Sequence, residues 1–193
     1  MSQKFLASLL LFGSLTASAQ AATYTVDPDH SSVSFKVKHL FSNVKGQFKK
    51  FEGTVEYEPA KPETWKASGT VDVATIDTNE DKRDKHLQSP DFFDVGKNPK
   101  IEFKSTGVKD AAALGARLEG LLKMHGVEKP IVLDVTVNGV GKDPWGNVRA
   151  AFSATTKINR KDFGMNWNQA LDNGGILVGE DVEISLEIEA IQK

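Results

Sequence analysis

One pattern recurs through this chain and leaves few folds open to it: apolar and polar residues alternate in steps of two. Between Asp181 and Ile191, Val182, Ile184, Leu186 and Ile188 fall on one face, and Asp181, Glu183, Glu187 and Glu189 on the other. Val33, Phe35, Val37 and His39 alternate with Ser34, Lys36 and Lys38 in the same way. The pattern returns in Gly46–Tyr57, Trp65–Thr75, the stretch opened by Asn98-Pro99, Arg117–Met124, Pro130–Asn138 and Ala150–Ile158. A period of two is that of a β-strand with one buried and one wet face. Phe48 breaks the parity of its run, which predicts a bulge or bend near Lys49-Lys50.

Clean alternation in about eight runs, most joined by short turns, argues for antiparallel sheet, because buried parallel strands read as continuous apolar runs. Such a sheet has to hide its edges. An all-β, antiparallel barrel of about eight strands does so, and is wide enough to be filled by side chains or to hold one ligand. A two-sheet sandwich is the competing architecture. Tight turns are expected at His125-Gly126 and Asp143-Pro144-Trp145-Gly146, and another break at Asn173-Gly174-Gly175.

One stretch departs from the pattern. From Ile76 to Val95, apolar residues are sparse, and Thr78 followed by Asp81 suggests a capping box. Asp81 and Lys85 are spaced for a solvated helical turn. Ser89, Pro90 and Asp91 suit a second helix start. The spacing predicts a short helical insertion near 78–94, docked on a cavity mouth or sheet edge through Leu87, Phe92 and Phe93.

Before the first strand, Lys4, the apolar run from Phe5 to Leu15 and the small-x-small signal Ala19-Gln20-Ala21 read as a secretory leader over residues 1–21. An apolar N-terminal helix is the alternative. This leaves 22–193 as one domain and predicts an exported protein. No other stretch has the ~20 apolar residues of a spanning helix. With 39% hydrophobic and 26% charged residues the chain can build a core, and a formal charge of −2 gives no global field for nucleic acid. There is no cysteine, which removes disulfides, thiol nucleophiles and thiolate metal sites.

Local signatures of catalysis are sparse. His30, His39, His86 and His125 lie at least nine residues apart and form no metal motif, so no metal, cofactor or catalytic residue is assigned. His39 falls on an apolar face, where it reads either as a satisfied core histidine or as a polar handle inside a cavity. Arg83-Asp84 and Arg160-Lys161-Asp162 read either as surface ion pairs or as a cationic rim for an anionic headgroup.

The segments HSSVSFKVKHL (30–40), GQFKKFEGTV (46–55), IDTNEDKRDKHLQSPDFF (76–93), GLLKMHGVEKPIVL (120–133), DPWG (143–146) and INRKDFGMN (158–166) resemble the motifs of the YceI-like, polyisoprenoid-binding family. The likeness runs over nearly all of 22–193. Lys123 and Glu128 stand where the family pattern has threonines. The resemblance implies a lipocalin-like barrel holding a long apolar chain, a polyprenyl or quinone-type lipid, in a periplasmic setting, with homodimers among relatives. On this reading the chain is a lipid-binding or carrier protein, not an enzyme, with Phe35, Val37, Tyr57, Val71, Phe103, Leu122, Phe152 and Ile184 as ligand wall. His39, Arg83 and Arg160 are the headgroup candidates. Two other readings are a structural or stress-response interaction protein with a packed lumen, and a lipid-phosphate or ester hydrolase using a histidine base.

Overall fold

The computed structural model describes residues 21–171 and 175–193. The expected leader therefore lies outside the described residues except for Ala21, as do Asn173 and Gly174 of the expected break. In chain order the strands are β1 (Ala22–Val26), β2 (Ser32–His39), β3 (Ser42–Phe48), β4 (Phe51–Tyr57), β5 (Lys66–Asp72) and β6 (Ile76–Asp77). Then come the helix α1 (Asp81–Gln88) and β7 (Lys100–Ala112), β8 (Gly115–Met124), β9 (Val127–Lys142), β10 (Val148–Asn159) and β11 (Val178–Gln192).

Eight strand positions close into an antiparallel barrel. β1, β4, β5, β7, β8, β9, β10 and β11 pair in that order. Tyr24 opposite Gln192 and Val26 opposite Ala190 join the last strand to the first. The closure removes the sheet edges that alternation alone would leave exposed.

The other three strands are continuations. β2 extends β1 beyond a 3₁₀ turn at Pro28–His30, and β6 follows β5 beyond another at Val73–Thr75. β3 and β4 are one strand broken at Lys49-Lys50, the expected bend. The breaks are tied together: the Lys49 and Lys50 amides donate to the carbonyl and the hydroxyl of Thr75, and the Asp72 amide donates to the Lys50 carbonyl. The expected strand Trp65–Thr75 thus stops at Asp72, whose side chain accepts from the Ala74 amide and starts the turn.

Below the breaks the order is β11, β2, β3, β6, and β6 does not pair with β7. The helical insertion fills that gap. Leu87, Phe93 and Val95 pack with Ile101 of β7 against buried Phe48, Val73 and Ile76. The start of the helix differs from the expectation. Glu80, not Thr78, is the N-cap, accepting from the Lys82 and Arg83 amides. Thr78 is buried and bonded to Arg83 and Asp84 instead. Ser89 ends α1 by donating to the His86 carbonyl, so Ser89-Pro90-Asp91 begins a run of turns rather than a second helix.

The two ends of the barrel differ. At one end, here the tyrosine end, Tyr57 packs on Tyr24, Trp65 and Phe152 with ring centroids 6.3, 4.9 and 5.2 Å away. Ala150 and Ala190 are fully buried beside them. At the helix end lie the β2–β3 hairpin, α1, the His125-Gly126 turn and residues 160–171 and 175–178.

Candidate functional site

Between these ends the barrel holds a cavity of about 290 Å³ with an almost wholly apolar lining. Its wall is the inward face of the alternating strands. Phe35, Val37, Val71, Phe103 and Ile184 line it and are only half-buried, because the space they face is not filled by other side chains. Tyr57 and Phe152 belong to the lining near the tyrosine end, and Leu122 to the lining contributed by β8.

Glycines shape this wall. Gly53 of β4 lies directly opposite Gly69 of β5, and both share the inward parity. With no side chain at either position, the backbone of Glu52–Thr54 and Ser68–Thr70 itself lines the cavity. A Cβ on Gly53 would lie 2.8 Å from the Ser68 carbonyl oxygen and 3.2 Å from Val26 Cγ2. Gly46 and Gly120 differ, since the rings of Phe35 and Phe103 fill the space above them.

Arg160 is the polar element of the site. It continues the inward parity of Phe152, Ala154, Thr156 and Ile158, and is 3% exposed. Asn159 accepts from the Lys161 amide to start a 3₁₀ turn, and Gly164, at φ 78°, ends it. Arg160 Nε donates to the Gly179 carbonyl at 2.9 Å and Nη1 to the Met165 carbonyl at 2.5 Å, with a weaker contact to Val178 O at 3.4 Å. Its guanidinium carbon lies 6.0 Å from the centroid of the Phe92 ring. None of these partners carries a negative charge. Burial pulls the guanidinium below its ordinary pKa, partly offset by Glu180, yet arginine stays charged in proteins. An apolar cavity thus has a buried cation in its wall, at the helix end.

Nine of the eleven residues singled out in the sequence line this cavity: Phe35, Val37, Tyr57, Val71, Phe103, Leu122, Phe152, Arg160 and Ile184. His39 and Arg83 do not. His39 shares the parity of Phe35 and Val37, but it ends β2, opposite Ser42 and Val178. Arg83 is committed to the chain before α1: Nε donates to Thr78 Oγ1 and Nη2 to the Thr78 carbonyl, both at 2.7 Å. Phe48, Phe51, Phe93 and Met165 also line the cavity, although none is among those eleven. The parity break at Lys49-Lys50 is the signal for the first two, because the bend turns both Phe48 and Phe51 inward.

Among the described residues one cluster of metal-ligand types occurs, Asp27, His30 and Glu189, with ligand atoms within 4.8 Å of one another. The cation there is already a side chain. Arg149 Nη1 donates to Asp27 Oδ2 and Glu189 Oε1, each at 2.7 Å, and Nε donates to Asp143 Oδ2 at 2.8 Å. His86 and His125 have separate partners, Asp91 and the Phe163 carbonyl.

A closed eight-stranded antiparallel barrel with an apolar interior and one short helix defines a lipocalin-like architecture. The YceI-like domain model matches residues 24–190, and the chain belongs to that family. It is 40% identical to a UPF0312 protein of Pseudomonas savastanoi pv. phaseolicola and 37% identical to one of Azotobacter vinelandii, each over the whole of both chains. Among solved structures it is similar to BcnA of Burkholderia cenocepacia (27% identity, TM-score 0.76, covering 86% of this chain and 99% of that one). The YCEI protein of Campylobacter jejuni is 34% identical, with TM-score 0.70 over 82% of this chain and 91% of that one. A polyisoprenoid binding domain from Saccharophagus degradans shares the fold at 14% identity, with TM-score 0.66 over 90% of this chain and 99% of that one. Among the described residues no helix is long and apolar enough to cross a membrane.

Proposed function

We propose that this protein binds and carries a long isoprenoid-type lipid, a polyprenyl or quinone chain, in the barrel lumen, and that it works in the periplasm. The observation that carries this reading is the apolar cavity between the tyrosine cluster and Arg160. A cavity of this volume is near the lower end of the ~300–1,000 Å³ range of small-molecule sites. Burying 15–20 methylene-like groups at about 0.8 kcal/mol each returns roughly 12–16 kcal/mol. Association and ordering take back about 4–15 kcal/mol. Only a long, well-enclosed chain leaves a useful surplus, and a short polar metabolite gains nothing from such a wall.

Arg160 sets the orientation in this reading. The apolar tail lies against Phe35, Phe103, Phe152 and the Gly53–Gly69 backbone, and the polar head lies toward the guanidinium. The name of the Saccharophagus degradans domain supports an isoprenoid over other apolar chains. The test is native mass spectrometry of the protein purified without detergent from its own host, followed by lipid extraction. A mass excess that extracts as one polyprenyl or quinone species is expected. A bare polypeptide mass, with no uptake of added isoprenoid, would overturn the proposal and favour an interaction protein with an unused lumen.

A further inference from the structure

The hairpin joining β2 to β3 turns in two residues, Leu40 and Phe41, between paired His39 and Ser42. Two-residue hairpins call for positive φ, which asparagine, aspartate and glycine adopt readily. Here Leu40 takes φ 49°, and Phe41 is 93% exposed. The His125-Gly126 turn of the same barrel, between β8 and β9, has glycine at φ 75°. Nothing inside the fold asks for Leu-Phe at the β2–β3 turn. The pair costs the fold both backbone strain and apolar exposure, and strain of this kind concentrates at functional sites.

The surroundings state the chemistry of a partner. The Leu40 amide donates to the Leu177 carbonyl at 3.0 Å, and His39 lies opposite Val178, so the tip sits beside the segment that carries Ile176, itself 49% exposed. Behind this apolar tip the outer face of the hairpin carries Lys36, Lys38 and Lys45. Lys36 is paired with Glu183 at 2.6 Å. The nearby acids Glu180 and Asp181 are taken by Lys161 and Lys157. Among the described residues Lys38 and Lys45 make no ion pair, so the tip has a cationic collar. An exposed aromatic with lysines behind it suits an anionic phospholipid surface, where the ring enters the boundary of headgroups and acyl chains and the lysines meet lipid charge.

We propose that the β2–β3 hairpin docks the barrel on an anionic bilayer, with Phe41 inserted and Lys38 and Lys45 at the headgroups. Val37 and Val178, just behind the tip, line the cavity, so docking presents the helix end of the barrel to the membrane. The proposal rests on the turn and its charges and not on what fills the lumen.

The test is co-sedimentation of the purified protein with phosphatidylglycerol/phosphatidylethanolamine vesicles. The wild type partitions onto them, and less so at high salt. The double variant Leu40→Asn/Phe41→Gly, which restores ordinary turn chemistry, loses at least tenfold in partitioning while its Tm stays level or rises. Phe41→Ser, which keeps the Leu40 backbone, shows the same loss. Lys38→Gln/Lys45→Gln weakens binding and flattens its salt dependence. Trp145→Ser leaves binding unchanged, since Trp145 is 82% exposed but sits on the β9–β10 turn at the tyrosine end. Absence of wild-type binding, full binding by both tip variants, or equal loss in Trp145→Ser overturns the proposal. A dimer that the tip variants convert to monomer, with vesicle binding unaltered, also overturns it by assigning the tip to a second copy of the chain.

Discussion

At position 160 a guanidinium gives up its water for backbone carbonyls and the face of a phenylalanine. That exchange holds Met165 and Gly179 against the end of β10. Arg160→Met would take the guanidinium donor from the buried contact to the Met165 carbonyl and from the part-buried one to Gly179, and an unsatisfied buried group costs about 1–3 kcal/mol. A loss of about 3 kcal/mol in urea unfolding is expected, with a much smaller loss for Arg83→Met, whose Thr78 contacts are only part-buried. Equal losses at the two positions would refute the carbonyl clamp. In the sequence Arg83 and Arg160 look alike, each beside a lysine or an aspartate. Parity separates them: Arg160 continues the inward face of a strand, while Arg83 lies on a helix whose start is set by Glu80. The same parity favours His39, but a strand end can turn a side chain away from the lumen it points along.

At the scale of elements, Arg149 on β10 ties together the end of β1, the β9–β10 turn and β11 through Asp27, Asp143 and Glu189. The guanidinium, with help from Asn147, holds the Asp143 carboxyl far below the usual aspartate range, and its hydrogen bond is also the largest cause of the lowered Asp27 pKa. Both carboxyls are depressed in the folded state. Their contribution is therefore fully present above the unfolded value of 3.8 and is lost as pH falls through the folded values. Urea midpoints should stay level from neutral pH to about pH 5 and fall steadily below about pH 4. Arg149→Gln should lower the neutral midpoint and make the acid fall shallower; an acid limb of unchanged slope would place the sensitivity elsewhere. The strands themselves were legible because each pays its way by burying one face, and alternation records that. β1 was given no bounds because it has only five residues. The first half of β3 escaped because Ser42, Asn43 and Lys45 leave little apolar signal. The start of α1 was misplaced because Thr78 and Glu80 are both plausible caps, and the choice depends on Arg83 and Asp84 folding back onto Thr78.

For the molecule as a whole, packed clusters lie toward both ends, a smaller one of Leu118, Leu133 and Ala154 lies along the wall, and the cavity lies between the ends. A lumen ligand that leaves with unfolding stabilises the folded state by about 2.7 kcal/mol at one hundred times its Kd. Stripping the lumen lipid should then lower Tm by roughly 5–11 °C, at about 2–4 °C per kcal/mol for a chain of this size, with recovery on adding polyprenyl lipid. A Tm indifferent to stripping would mean that the cavity carries no ligand of consequence. The Gly53–Gly69 pair gives this wall an asymmetry in how it can diverge. Elsewhere in the lumen one apolar side chain can be exchanged for a larger or a smaller one, and the fit adjusted in either direction. At Gly53 and Gly69 there is nothing left to remove, and a Cβ added at either comes within 2.8 or 3.3 Å of a carbonyl oxygen of the opposite strand. Mutation can therefore only narrow the barrel at this pair, and any descendant that accommodates a bulkier cargo has to find the space elsewhere in the lining.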